Sequence, residues 1–418
     1  MTTPDNRLTP LWRVPLFGGA LPLVALIVLG GLRTAAPAQT AERTRWEYDG
    51  GSLWRSLTWT ERSGKTSHTY FETRRNPVFV ELLDPSRQYT VRLYADKLLL
   101  RGGKGSAKKF PKFTRLSGGA WKDAGTRLEW QSPAGFLRAQ NDEPNEKAAS
   151  AAWVERNFDG THVFHETSRT DDFIELKDPR RDYTLRLAAD ELKIRGGNKT
   201  VPKRFADFTR LYAGRWAPDR KPVVPKIVLD LHEAPEAARW AAGAKQLCEE
   251  WYAIIYDMLY PVGHPPARTI TIHFKDPIKT VAYTFAQQGE ITISANWVKK
   301  HPEDIGMVIH ELTHVVQNYP ESKGVKIFWI GEGVADYVRY FEFEPEKPFK
   351  IDRKKTYRDG YGTAAAFLDW VERTHGPHVI EKLNARLAIG AYTEELFEDY
   401  AHAPLGTLWT NFAATVHH

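Results

Sequence analysis

His310, Glu311 and His314 are the residues of this chain whose types and spacing are best suited to chemistry. They form the pattern His-Glu-x-x-His in the stretch His310-Glu311-Leu312-Thr313-His314. On a helix, residues four apart sit one turn apart, so both imidazoles leave the same face. Two neutral ring nitrogens placed this way can hold one Zn2+ at about 2.0–2.1 Å. Glu311 is rotated off that pair, near enough to take a proton from a water at the metal without being a ligand itself. Three matching residues recur by chance, so the surroundings have to agree.

The surroundings predict a helix and a third ligand. Val308, Ile309, Leu312, Val315 and Val316 fall at helical spacing and make one apolar stripe. His310, Glu311, His314 and Gln317 lie off that stripe, so the helix would bury one side and show the other to a cleft. Pro302-Glu303-Asp304 puts a proline and two acids near its start, and Pro320 ends it soon after Asn318. Catalytic zinc usually has three protein ligands and one open position. Glu332 lies 18 positions after His314, enough for a loop and the start of a second helix. Phe328, Ile330, Val334, Tyr337, Val338 and Phe341 would form that helix's apolar face. Asp336, one turn from Glu332, could accept the outer N–H of a ligand histidine. Gly331 and Gly333 would let backbone approach closely on either side of Glu332. No third histidine follows in metzincin spacing, and no methionine occurs after Met307, so there is no Met-turn. The pattern is that of a two-His, one-Glu gluzincin. The plainer alternative is a buried, hydrogen-bonded histidine pair beside a salt-bridged helix.

Length and composition set the frame. At 418 residues, two or three domains are expected, and 42% apolar content with 14 tryptophans can supply their cores. The net charge of +6 is spread among mixed signs. The densest basic run, Lys104, Lys108, Lys109 and Lys112, fits a solvated loop better than a polyanion site. No nucleic-acid motif is visible. Arg7 and Arg13 precede a mostly apolar stretch over residues 14–32, and Ala36-Pro37-Ala38 fits a signal-peptide cleavage site. An uncleaved membrane anchor is the alternative. Either way the bulk of the chain is expected outside the cytoplasm, secreted, periplasmic or at the cell surface. Cys248 is the single cysteine, so no intrachain disulfide can form.

Residues 46–216 contain an internal repeat. Leu83-Asp84-Pro85-Ser86-Arg87-Gln88-Tyr89-Thr90-Val91-Arg92-Leu93 matches Lys177-Asp178-Pro179-Arg180-Arg181-Asp182-Tyr183-Thr184-Leu185-Arg186-Leu187 at an offset of 94. Trp59 then meets Trp153, His68 meets His162, and Arg101-Gly102-Gly103 meets Arg195-Gly196-Gly197. After one gained residue, Trp121 meets Trp216. Two copies make a tandem module, not a solenoid. Alternating apolar and polar residues on either side of an Asp-Pro turn predict antiparallel strands. The matched tryptophans read as core anchors, with stacking on a carbohydrate or cell-wall ligand as the sharper alternative. His68 and His162 read as structural. Beyond a proline-rich linker the pattern becomes mixed α and β. Strands are expected at 227–231, 269–274 and 290–294, and a helix at 236–259. The strand at 290–294 would border the cleft and pair with an extended peptide.

His310-Glu311-Leu312-Thr313-His314-Val315-Val316-Gln317, followed by Glu332-Gly333-Val334-Ala335-Asp336-Tyr337-Val338-Arg339, resembles the plant basic secretory protein family and its bacterial relatives. Gly360-Tyr361, Phe367-Leu368-Asp369-Trp370, Tyr392 and Leu408-Trp409 agree with it in order. The resemblance covers roughly residues 235–415 and leaves out the repeats. Val316 and Ala366 depart from the family's frequent tryptophan and arginine, and neither is a ligand position. The resemblance implies a secreted, zincin-like, zinc-dependent peptidase acting on peptide or protein substrates. Tyr361 matches the family's Gly-Tyr, and its phenol could stabilise an oxyanion; a packed core tyrosine is the alternative.

The expected architecture is an α+β zincin-like catalytic domain preceded by a duplicated, mostly β region. Its parts are a leader at 1–38, β-rich repeats at 42–125 and 126–217, a linker at 218–226 and a catalytic domain at 227–418. His310, His314 and Glu332 would hold Zn2+, with Asp336 behind them and Glu311 and Tyr361 as the reacting groups. The competing reading is a cell-surface or cell-wall binding protein whose zincin domain is vestigial.

Overall fold

The computed structural model describes residues 45–48, 51–56, 58–63, 66–103, 110–121, 129–132, 135–139, 152–157, 160–199, 204–216, 223–259, 263–320, 327–347, 349, 351–352, 354–375 and 378–416. The expected leader, most of the linker, and Lys104, Lys108 and Lys109 lie outside them. Among the described residues no helix is long and apolar enough to cross a membrane.

An N-terminal β region precedes a C-terminal α+β domain. The β region begins with β1 (Arg45–Tyr48), β2 (Gly51–Ser56), β3 (Thr58–Ser63), β4 (Thr66–Arg75), β5 (Val80–Asp84), β6 (Tyr89–Leu93), β7 (Lys97–Gly102), β8 (Phe110–Gly118) and the short β9 (Ala120–Trp121). It continues through β10 (Glu129–Ser132), β11 (Gly135–Ala139), β12 (Ala152–Asn157), β13 (Gly160–Arg169), β14 (Ile174–Asp178), β15 (Tyr183–Leu187), β16 (Glu191–Gly196) and β17 (Phe205–Trp216). All its pairings are antiparallel, and they form two sheets.

The two copies exchange hairpins. β12 to β17 close into a barrel by taking in the β1–β2 hairpin, with β2 on β12 and β1 on β17. β3 to β9 form the other sheet by taking in the β10–β11 hairpin, with β11 on β3 and β10 on β9. β9 continues β8 past Gly119, so this sheet also returns to its own start. The sequence supplies a reason. One residue separates β2 from β3, and an antiparallel hairpin needs at least a two-residue turn. β2 and β3 therefore cannot pair with each other and pass to different sheets.

Period-two alternation fills both interiors alike. Trp59, Tyr70, Val80, Leu82, Val91, Leu93, Leu98 and Leu100 form one core cluster. Trp153, Phe164, Ile174, Leu176, Leu185, Leu187, Leu192 and Ile194 form the other, each residue 94 positions on. Trp59 and Trp153 are fully buried, and their indole N–H groups donate to Glu72 and Glu166 at 3.0 and 2.9 Å. These two rings are core anchors.

The C-terminal domain comprises β18 (Lys226–Asp230), α1 (Ala238–Leu259), β19 (Thr269–Lys275), β20 (Ala282–Phe285), β21 (Glu290–Ser294), α2 (Ala295–Lys300), α3 (Gly306–Gln317), α4 (Phe328–Tyr337), α5 (Tyr361–Thr374), α6 (Val379–Ala388), α7 (Leu396–Ala401) and α8 (Leu405–Val416). A π-helical turn, Val338–Phe343, continues α4. The sheet order is β18-β19-β21-β20, the first three strands parallel and β20 antiparallel to β21. This corrects the expectation for the strand at 290–294. It is β21, paired on both sides, so on that side, among the described residues, the sheet's edge is the short β20, whose four residues carry too little alternation to be read from sequence.

The outer face of the β3–β9 sheet is docked on the C-terminal domain. Phe79 belongs to that domain's apolar core, with Val78 and Tyr94 packed against it. Arg92, 1% exposed, donates through Nε to Glu81 at 2.8 Å and through its terminal nitrogens to Glu342 on the π-helical turn. Tyr337 donates to the same carboxylate at 2.9 Å. At the rim Lys97 pairs with Glu346, and Lys112 donates to the Lys347 carbonyl at 3.4 Å.

Candidate metal centre

α3 carries the two histidines into the middle of the domain. Val308, Ile309 and Leu312 are fully buried, as the apolar stripe requires. The helix begins at Gly306, and Asn318 closes it in a left-handed conformation, its N–H donating to the His314 carbonyl at 3.0 Å. The acids at 303–304 do not cap it. Asp304 instead accepts from the Trp297 indole at 3.0 Å and pairs with Arg339, since no side-chain cap forms at Ile305. α4 brings Glu332 and Asp336. It packs closely on α5: a Cβ on Gly333 would lie 2.8 Å from the Ala364 methyl. At Gly331 the nearest atom would be 3.8 Å away, so only Gly333 is held small by packing.

The three proposed ligands meet. His310 Nε2 lies 3.1 Å from His314 Nε2 and 3.2 Å from Glu332 Oε2, and His314 Nε2 lies 3.5 Å from the same oxygen. Tetrahedral ligands of a small ion at about 2.0–2.1 Å stand about 3.3 Å apart. The donor triangle fits one such ion. Among the described residues it is the one group of three or more His, Cys, Asp or Glu side chains able to hold a metal. His68 and His162 are not part of it. His162 is half-buried, and that burial, with Arg181 nearby, lowers its pKa to about 4 and favours the neutral ring.

The outer nitrogens are held by two different partners. Asp336 Oδ1 is 2.7 Å from His310 Nδ1. Gln317 Oε1 is 2.7 Å from His314 Nδ1, while Gln317 Nε2 donates to the Gly331 carbonyl at 3.0 Å. That second bond fixes which end of the amide faces His314. Both Nδ1–H groups therefore point outward as donors, and both Nε2 atoms face the triangle, where a metal would find their lone pairs. Gln317 was visible only as a residue off the apolar stripe; its role needs the fold that brings Gly331 alongside.

The electrostatics follow from these contacts. Burial by itself disfavours a charged His310, but its hydrogen bonds to Asp336 and Glu332 outweigh that and raise its pKa to about 10. Burial likewise raises Glu332, and the two histidines overcome it, lowering the carboxyl to about 2. The carboxylate and the imidazoles thus favour one another's charged forms, and a cation bound there would compete with protons for the same atoms.

Glu311 and Tyr361 flank the triangle. Glu311 is 6% exposed, and its Oε2 accepts a 2.6 Å hydrogen bond from Thr284 Oγ1 on β20. Tyr361 starts α5 at a left-handed φ of 49°, is 47% exposed and lies with its ring 6.2 Å from that of His310. Non-glycine residues in that conformation are uncommon and gather at functional sites. Phe328 meets Tyr361 edge to face at 5.8 Å. Gly360 permits this corner: at φ 72° it has no Cβ to press on Phe328, 3.2 Å away, or on Glu332, 3.4 Å away. Burial, then the nearby Glu332, Asp336 and Glu311 carboxylates, raise the Tyr361 pKa.

No curated protein and no solved structure matches this chain. Residues 236–412 match the family model BSP, described as peptidase of plants and bacteria. That match spans β20, α3, α4 and α5, hence every residue of the site just described. This C-terminal region is thus similar to the BSP family of peptidases, the family its spaced motifs resemble.

Proposed function

We propose that the C-terminal domain is a zincin-like, zinc-dependent peptidase of the gluzincin type. The observation that carries this reading is the triangle of His310 Nε2, His314 Nε2 and Glu332 Oε2, with edges of 3.1, 3.2 and 3.5 Å. Two nitrogens and one carboxylate oxygen suit zinc, and three protein ligands leave a coordination position open. Zinc bound there would supply Lewis acidity, activating water and polarising a carbonyl.

The chain's own groups divide the remaining work. Asp336 and Gln317 hold the two imidazoles in the tautomers a metal needs. Glu311, beside the triangle but outside it, takes the proton of the attacking water and hands it to the leaving amine. Tyr361 keeps its proton and donates a hydrogen bond to the developing oxyanion. The free edge of β20 offers an extended peptide a strand to pair with. The leader sequence supports export, with a single membrane anchor if it is not cleaved. Any carbohydrate or cell-wall ligand of the repeats would use rings other than Trp59 and Trp153, which are buried.

Metal removal and restoration test this. Chelated protein should lose cleavage of a mixed peptide library and regain it with one equivalent of zinc. His314→Ala should bind no zinc and cleave nothing. Full cleavage by the chelated protein would end the metallopeptidase reading.

A further inference from the structure

We infer that Thr284 is a positioning residue for Glu311, the group that moves the proton. This rests on the peptidase reading above and deepens it. Thr284 Oγ1 lies 2.6 Å from Glu311 Oε2 and 3.2 Å from the Glu311 carbonyl oxygen. A threonine hydroxyl has one hydrogen to give. The shorter, charge-assisted contact takes it, and the carbonyl lies within reach as a second acceptor. The carboxylate is thus tied at one oxygen, and Oε1 is left as the proton acceptor. Glu311 has three side-chain torsions. Among the described residues, no other side chain donates to it.

The location gives the contact its meaning. Thr284 belongs to β20, the edge strand, and pairs there with Ile291 of β21. α3 packs against β20 and carries Glu311 into reach. A four-residue edge strand thus holds both the free edge for substrate and the hydroxyl that aims the base. A β-branched residue suits this place because its stiff χ1 fixes the hydroxyl direction. Proton transfer depends steeply on heavy-atom distance, and a base off by about 1 Å can cost about a hundredfold in rate.

The test compares Thr284→Val and Thr284→Ser with wild type in full-length, zinc-loaded protein. Valine keeps the shape and removes the donor; serine keeps the donor. Thr284→Val should lower kcat by about ten- to a hundredfold, with KM and zinc content within about twofold. Thr284→Ser should recover kcat to within about threefold of wild type, a rescue that a packing role would not give. Crystal structures of the metal-free wild type and Thr284→Val supply a readout independent of turnover: the Glu311 carboxylate should leave its position only in the valine variant. Wild-type kcat in Thr284→Val would overturn the inference. So would equal losses in both variants, or loss of zinc or folding in the valine variant. If the wild type itself cleaves nothing, the peptidase reading fails, and the two metal-free structures still decide whether Thr284 holds Glu311.

Discussion

Arg92 and Arg186 occupy the same position in the two repeats, and each lies over two phenylalanine rings: Phe79 and Phe113 at 4.5 and 4.0 Å, Phe173 and Phe208 at 4.3 and 4.0 Å. Their surroundings differ. Arg92 is buried and divides its donors between Glu81 and Glu342. Arg186 keeps a third of its side chain exposed and turns both Nε and a terminal nitrogen onto its own Glu175, at 2.9 and 2.6 Å. The flanking positions explain the divergence. Leu83 and Leu99 are buried where the second copy has Lys177 and Lys193, which pair with Asp182 and Glu191. β5 is buried along its whole length, whereas β14 alternates buried and half-buried residues. A duplicated module has thus kept one interior and acquired two exteriors: one has become part of the C-terminal domain's wall, and the other is dressed for water.

The sharpest way to break this comparison is to cut the same arginine twice. Arg92→Ala leaves buried Glu342 with the Tyr337 hydroxyl and the more distant Arg101, 3.9 Å away, and should cost about 3–5 kcal/mol in urea unfolding. Arg186→Ala should cost under about 1 kcal/mol. Equal costs would show that the arginine serves each sheet internally and not the docking. Exchanging the flanks should follow the same order. Leu99→Lys buries an ammonium and should destabilise by about 3 kcal/mol, while Lys193→Leu should change stability by no more than about 0.5 kcal/mol.

Smaller effects separate the site from the barrels. Asp336→Ala should weaken zinc binding by about 10–100-fold in competition titration and leave β12 to β17 unaltered in hydrogen exchange. The pH dependence has a definite sign. In the metal-free protein His310 is raised to about 10, so its contribution to stability is full below about 6.5, the unfolded value, and is lost as pH rises through about 10. Glu332, lowered to about 2, contributes above about 4.5, the unfolded value, and loses that contribution as pH falls through about 2. Exchange protection in α3 and α4 should therefore fall between neutral and alkaline pH without a matching fall in β12 to β17. Zinc affinity should run the opposite way, rising with pH as the competing proton leaves.

Much of the site was legible because its helices write themselves locally. The 3.6-residue stripe placed α3, and one-turn spacing put His310 with His314 and Glu332 with Asp336. The repeat's shared core could be read too, since period-two alternation and the matched tryptophans need no partner to be seen. Long-range features could not be read. Gln317 acts through Gly331, and Thr284 through an edge strand of four residues; neither contact has a local signature. Asp304 does stand near the start of α3, but its side chain serves Arg339, 35 positions away, a contact with no local signature. The hairpin exchange was hidden in a link one residue long between β2 and β3, and the docked face in two leucines that stand where the second copy has lysines.

The most direct measurement substitutes Glu311 alone. Wild type and Glu311→Gln should each bind one zinc, because Glu311 stands outside the ligand triangle, and only wild type should cleave a mixed peptide library. Equal cleavage by both proteins, or a wild type that binds no zinc, would contradict the assignment of this site as a metallopeptidase centre.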